Sequence, residues 1–296
     1  MQQPDDKKIK FLTEKARDIR VSIIEMLVAA GSGHSAGSLG MADIFAALYF
    51  HILKHDPKTL TWPGRDRVIL SNGHICPALY AAMAHAGYFP PSELLTLRKF
   101  GSRLQGHPHR EFLPPLETSS GPLGEGLSQA VGMALADRLD RGKDSGRFFY
   151  CLLGDGELDE GQNWEAAMLA GKEKLGNLIA IVDRNNIQID GLTEDVMPLH
   201  NLAHKFENFG WHVEEIDGHN FSAIVEAVSR AQAVFDGPSV IIARTIPGKG
   251  VSYMERDFKW HGAPPGTAMP GEPEAKEQAK IALHDLRTLD GQIERE

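Results

Sequence analysis

Five strand-like runs in this 296-residue chain each end in a glycine-rich or polar turn, with helical patterns between most of them. "DRVILSNGH" ends an apolar strand at Ser71, "FFYCLLGDG" holds a strand from Phe148 to Leu153, and "NLIAIVDRNN" holds one from Leu178 to Val182. "WHVEEIDGHN" and "PSVIIARTIPGKG" follow. Uninterrupted apolar runs suit strands buried on both faces, as in a parallel sheet. Ile9–Ala29, "LSQAVGMALADRLDRG" and "NWEAAMLAGKEKLG" read as helices, the last two each with a glycine placed to end them. The β-α-β-α order predicts an α/β fold, an open and mainly parallel sheet with helices on both faces.

The length suits one large core or two small domains. The glycine and proline after residue 263, followed by one short helical stretch, predict a module over 1–263 and a tail over 264–296. A net charge of −9, with both signs mixed along the chain, argues against a nucleic-acid or membrane-surface binder. Cys76 and Cys151 are the only cysteines, which predicts neither a disulfide framework nor a zinc cluster. The start carries no apolar signal-peptide core and no run is long enough for a membrane span, so a cytoplasmic protein is expected.

In open α/β sheets, ligands bind beyond the carboxyl ends of the strands, and SNGH, GDG, DRNN and IDGHN all fall there. Gly154-Asp155-Gly156 and Asp183-Arg184-Asn185-Asn186 are separated by one βαβ crossover, which places the two turns side by side. A carboxylate and an amide oxygen from adjacent strand ends, completed by a backbone carbonyl, suit Mg²⁺ or Ca²⁺, with diphosphate and water in the remaining positions. The bland reading makes Asp155 a helix cap and Asn185-Asn186 a turn. The pairing at this spacing favours the metal–diphosphate site. Gly121, Gly124 and Gly126 precede a helix whose free N–H groups attract anions. Glu125 is expected to point away from any anion there.

Four histidines stand in turns marked by glycine or proline: His34 in "GSGHSAG", His74 in "SNGHICP", His107 in "LQGHPH" and His261 in "KWHGAPP". Neutral imidazole both donates and accepts a hydrogen bond near pH 7, so four such residues suggest proton transfer and hydroxyl recognition. His85, His109, His200, His204, His212 and His219 lack that context and read as ordinary surface or core histidines.

Taken together, "GSGHSAGSLG", "SNGHICPALY", "GHP", "GPLGEGLSQAVGMA", "GDGELDEGQNWEAA", "LIAIVDRNNIQIDG", "IPGKGVS" and "WHGAPP" resemble the thiamine-diphosphate-dependent transketolase family, in family order from about residue 10 to 265. The resemblance implies that Asp155, Asn185 and the carbonyl of Ile187 ligate Mg²⁺, with Ca²⁺ as the alternative ion. It implies that Gly154, Asp155, Gly156 and Asn185 meet the diphosphate, and that Gly121, Pro122 and Leu123 line the cofactor, Leu123 against its rings. His34, His74, His107 and His261 would face diphosphate or sugar, with His261 or His34 as proton shuttle and His107 on the C1 hydroxyl. Glu160 and Glu165 resemble acids at the interface between paired sites. The chain departs from the family pattern at His34-Ser35-Ala36-Gly37, at Glu125 and at His109.

A full-length transketolase resembles this chain only in its first half. The resemblance therefore implies a split enzyme that transfers a two-carbon ketol group from a ketose phosphate to an aldose phosphate. A second subunit, carrying the pyrimidine-binding and C-terminal modules, would supply the glutamate that activates thiamine, most simply in an α₂β₂ assembly. The ketose donor is left open between pentose-phosphate sugars and sulfonated or branched ones. Two rival readings stand beside this one. The first is a subunit of a 2-oxoacid dehydrogenase or deoxyxylulose-phosphate synthase, and the second is a non-catalytic diphosphate-binding module.

Overall fold

Strand β1 (Arg67–Leu70) lies beside β2 (Phe149–Gly154), and β2 beside β3 (Leu178–Arg184). A two-stranded hairpin of β4 (Ile187–Gln188) and β5 (Gly191–Leu192) follows, then β6 (His212–Asp217) and β7 (Ser239–Arg244). The main sheet runs β1-β2-β3-β7-β6 and every neighbouring pair is parallel. All five expected strands are present. The structure, a computed structural model, describes residues 3–142 and 146–288.

The apolar runs are read on alternate sides. Phe149, Cys151 and Leu153 join one core with Leu127, Ala130 and Ala134 of the helix Glu125–Arg141, and with Ala166, Ala167 and Ala170 of the helix Gly161–Glu173. Tyr150 and Leu152 join the other core with Ile19, Ile23 and Leu27 of the helix Asp6–Ala30, and with Val225 and Val228 of the helix Phe221–Gln232. A strand clothed on both faces needs no polar side, which explains the unbroken apolar sequences. Strand β6 stands at the edge and has only Ile216 buried, which accounts for the acids in "HVEEID".

Helix ends depart from expectation for local reasons. The first helix begins at Asp6, before Ile9, because the Asp5 side chain accepts from the Lys8 N–H at 2.8 Å and caps it. The helix Gly161–Glu173 stops at Lys174, which takes the left-handed conformation (φ 52°) expected of Gly176. Within that helix, the Phe209 carbonyl oxygen lies 1.8 Å from where a Cβ on Gly171 would stand.

In the region read as a tail, the helix Ala275–Thr288 packs on the helix Asp6–Ala30 and buries Ala282 and Leu286. Gln278 is also buried. Its amide accepts from the Gly266 N–H at 2.7 Å and donates to the Thr267 and Pro273 carbonyls at 2.9 and 3.0 Å. Among the described residues no helix is long and apolar enough to cross a membrane.

A buried ionic cluster ties the first helix to the turns that follow β6 and β7. Arg20 forks onto Asp43 and donates to the Leu39 carbonyl at 3.1 Å. His219 Nδ1 donates to Asp43 at 2.6 Å, and its Nε2 accepts from the Ile246 N–H at 2.8 Å. Burial alone would raise the Asp43 carboxyl, but Arg20 and His219 bring it down to about 2. His219 is thus a satisfied internal histidine that braces the IPGKG loop.

Gly171→Ala tests the helix packing. Alanine usually gains about 1 kcal/mol over glycine inside a helix. Here the added methyl collides with a carbonyl, and a loss of about 1–3 kcal/mol is expected. A fall in the urea midpoint checks the sign.

Candidate active site

Strands β2 and β3 end in register, Gly154 opposite Asp183, so the GDG and DRNN turns lie side by side. Asp155 is 1% exposed. Its Oδ1 accepts from the Gly156 N–H at 2.8 Å, and its Oδ2 from the Asn186 N–H at 2.7 Å and Arg184 Nη1 at 3.0 Å. Burial pushes its pKa up, opposed by these partners. Asp183 beside it is pushed up to about 7 by burial and by the Asp155 charge, against the donors Thr245 and Asn185. Asn185 Oδ1 accepts from the Ile187 N–H at 3.0 Å, which folds the turn so that Asn185 and Ile187 both line the cavity with Asp155.

That cavity holds about 160 Å³ and is bounded also by Asn72, His74, Leu123, Gly154, Gly156 and His261. Asp155, Asn185 and Ile187, the three expected oxygen donors, border one space. Glu157, Asp183 and Asp190 also border the cavity, but among the described residues no three His, Cys, Asp or Glu side chains converge as a metal set, so the Asp155 carboxylate with the Asn185 amide and Ile187 carbonyl oxygens is the mixed donor set on offer. It suits a hard divalent cation. The Asn72 amide is 1% exposed and neither of its polar atoms has a partner within the protein. Buried polar groups are normally paired, so an unpaired amide on a cavity wall fits a polar ligand there. The donor set and this amide together fit a metal-bound diphosphate.

The four histidines singled out by their turns come together. The His34 ring lies 5.1 Å from His74, 5.6 Å from His261 and 6.3 Å from His107, and His74 lies 5.0 Å from His261. His34 Nδ1 and His261 Nδ1 are buried without a partner. Burial, then the neighbouring His261, Arg98 and His107, bring His34 down to about 4. His74 lies well below the usual range for the same kinds of reason, and burial lowers His107 and His261 as well. The cluster is therefore neutral near pH 7, with nitrogens able to give or take a proton.

The glycine loop meets the cluster from the side. Leu123 lines the cavity at 39% exposure, and Gly121 faces His107, with Pro122 exposed between them. Glu125 is exposed, as expected. Gly156 lies against Gln188, whose Cγ is 2.8 Å from where a Cβ would stand. Glu160 and Glu165 are both exposed, near the exposed Met168 and Leu169.

Sequence reasoning assigned no role to Asn72, Glu157, Arg98 or Gln188. Glu157, 3% exposed, accepts from Ser71 Oγ, the Gly124 N–H at 2.8 Å and the Gly154 N–H at 2.9 Å. Burial raises its pKa against those three donors. Arg98 has a left-handed backbone (φ 60°), and its guanidinium lies against Gly106 beside the histidine cluster. Asn72 and Glu157 stand inside the quoted motifs, so their place at strand ends was the available signal. Arg98 offered none.

The family profile described as "Transketolase, thiamine diphosphate binding domain" matches residues 12–279. The 6-deoxy-6-sulfo-D-fructose transketolase subunit SqwG of Clostridium sp. (strain MSTE9) is 46% identical over 250 residues, covering 84% of this chain and 90% of that protein. One of the subunits of the apulose-4-phosphate transketolase of Actinobacillus succinogenes is 40% identical over 278 residues, covering 93% of this chain and 96% of its own length. The crystal structure of a transketolase from Campylobacter jejuni superposes with a TM-score of 0.81 at 33% identity, covering 97% of this chain and 49% of that one. The chain thus spans about half the length of that transketolase.

Two outcomes are expected from the site's electrostatics. The unfolded chain protonates His34 near 6.5 and the folded chain only near 4, so between these values the unfolded state holds the extra proton. This contribution is fully present above pH 6.5 and falls as the pH drops toward 4. Urea midpoints at pH 7 and pH 5 should differ less in His34→Asn than in the wild type. Glu157→Gln turns an acceptor into a donor against buried N–H groups, and a loss of about 1–3 kcal/mol is expected as a lower melting temperature.

Proposed function

The chain belongs to the transketolase family, as its thiamine-diphosphate-binding domain, and we propose that it is the diphosphate-binding subunit of a split transketolase. The observation that carries this reading is the meeting of four neutral imidazoles with a cavity bordered by Asp155, Asn185 and Ile187. A two-carbon ketol group would pass from a ketose phosphate to an aldose phosphate. When bound, thiamine diphosphate supplies the nucleophilic carbon and the electron sink for breaking and remaking a carbon–carbon bond.

Each residue has a task in this scheme. Asp155, Asn185 and the Ile187 carbonyl hold Mg²⁺, or Ca²⁺ in its place, and the ion holds the diphosphate beside Gly154 and Gly156. Leu123 offers an apolar face to the cofactor rings, with Gly121 and Pro122 shaping the approach. His74 and His261 lie on the cavity wall and reach the diphosphate or the sugar. His34 or His261 would take the proton from the sugar hydroxyl that becomes the aldehyde oxygen as the carbon–carbon bond breaks, because both are neutral and each has a buried, unpartnered Nδ1. His107, the exposed member, orients the C1 hydroxyl of the donor.

A second polypeptide carrying the pyrimidine-binding and C-terminal modules completes the site, in an α₂β₂ assembly. Two relatives are named as subunits, which supports a separate partner chain. Leu123, Met168, Leu169, Ile189 and Leu192 expose between 39 and 70% of their surfaces, an apolar area suited to such a partner, with Glu160 and Glu165 beside it. The relatives' named substrates are a sulfonated ketose and a ketose phosphate. The donor here is accordingly a ketose with an anionic end. We read residues 1–263 as the cofactor module and 264–296 as a tail, whose helix Ala275–Thr288 packs on the first helix of the module. Two buried free cysteines suit a reducing, cytoplasmic setting.

The reading is tested by titrating thiamine diphosphate and Mg²⁺ and measuring ketol transfer, first with this chain alone and then with the candidate partner. Activity only in the mixture is expected. Activity from this chain alone overturns the two-chain reading, and turnover of pyruvate in place of a ketose favours the 2-oxoacid rival. In the active mixture, His107→Ala should lower kcat/KM for the donor ketose by about tenfold or more.

A further inference from the structure

We propose that Arg184 is a built-in counter-charge that competes with the divalent ion for Asp155, and that Glu194 is the acid that draws it aside. The proposal rests on the reading of Asp155 as a metal ligand. Arg184 is the last residue of β3, and its guanidinium crosses to the acid at the end of β2, Nη1 lying 3.0 Å from Asp155 Oδ2. The same oxygen accepts the Asn186 N–H at 2.7 Å, and Oδ1 accepts the Gly156 N–H. Two donors already occupy the lone pairs of Oδ2.

An ion approaching Oδ2 must displace one of them. The Asn186 amide is fixed by the turn. The guanidinium ends a flexible side chain and has somewhere to go, because its Nη2 already bonds Glu194. Glu194 is the more accessible acid, its side chain 36% exposed against 2% for Asp155, and its second oxygen accepts from the His200 N–H at 3.3 Å. Arg184 thus stands between a buried acid that needs a positive neighbour and a surface acid that can keep it when that need is met.

The consequence is an order of preference. A buried carboxylate is costly without a counter-charge, and Arg184 supplies one before any ion arrives. A divalent ion alone brings two further positive charges against the guanidinium. An ion carrying diphosphate brings its own negative charge. The site therefore discriminates against the bare ion and favours the ion–diphosphate pair.

Calorimetric titration of the full chain with Mg²⁺, without and with saturating thiamine diphosphate, tests this. Arg184→Met should bind Mg²⁺ alone about tenfold more tightly than the wild type, since a like charge next to the ion has gone. Arg184→Lys keeps that charge and should stay within about threefold of the wild type. Glu194→Gln should weaken Mg²⁺ binding several-fold, because the guanidinium is left with Asp155 alone. Opposite shifts in Arg184→Met and Glu194→Gln support the proposal. Unchanged or weaker binding in Arg184→Met, or unchanged or tighter binding in Glu194→Gln, overturns it. Should Arg184→Met fail to fold, Glu194→Gln decides alone. Wild-type chain that takes up thiamine diphosphate without regard to Mg²⁺ overturns the ligand assignment and this proposal with it. Mg²⁺-dependent uptake with unmoved variants overturns only the role of Arg184.

Discussion

The Glu157 carboxylate is the knot on which the site's geometry depends. Its three donors come from Ser71, at the end of β1, from Gly124, in the loop before the helix Glu125–Arg141, and from Gly154, at the end of β2. One buried acid therefore sets the spacing of three loops that are far apart in the chain. The fit around it is close. The Cβ of Ser71 lies 2.4 Å from where a Cβ on Gly126 would stand, and the Gly126 N–H donates to Ser71 Oγ at 3.0 Å. Charge and close backbone approach act on the same residues, so these loops hold one arrangement and not several.

A second brace works from the opposite edge. His219 joins Asp43 to the Ile246 amide, and two residues further on the Gly248 N–H donates to the Ala36 carbonyl at 2.9 Å. His34 stands just before that point, and Ser38 Oγ donates back to the His34 carbonyl at 2.7 Å. Ser35 Oγ reaches the Ala263 carbonyl, next to the loop that carries His261. His34 and His261 are thus placed by ties to the backbone beside them. Their own ring nitrogens are left for ligands, which is the arrangement expected of a preorganised site.

Much of this was legible in the sequence because the sheet is clothed on both sides. Strands such as "FYCLLG" and "LIAIVD" show no alternation to misread, and each ends where chemistry begins. The four histidines were marked by glycine or proline neighbours, and the fold brings the other three rings within 6.3 Å of His34. What was hidden depends on partners remote in sequence. Nothing near His219 reveals that residues 43 and 246 will flank it. Glu157 looked like one acid among several, since its donors come from other segments. In sequence the helix Ala275–Thr288 reads as peripheral because its polar face dominates, yet Ala282 and Leu286 are buried against the first helix. Arg184 read as part of a polar turn, and only the register of β2 with β3 puts it on Asp155.

The exposed apolar rim has a consequence for how such a chain must be made. Ile189 shows 70% of its surface and Leu123 39%, at the mouth of the same cavity. A surface of this kind is safe only while something covers it. In the two-chain reading proposed above, copies made in excess of the partner subunit would carry this rim bare, open to one another and to any passing apolar segment. On that reading, balanced synthesis of the two polypeptides is a matter of solubility as much as of catalysis.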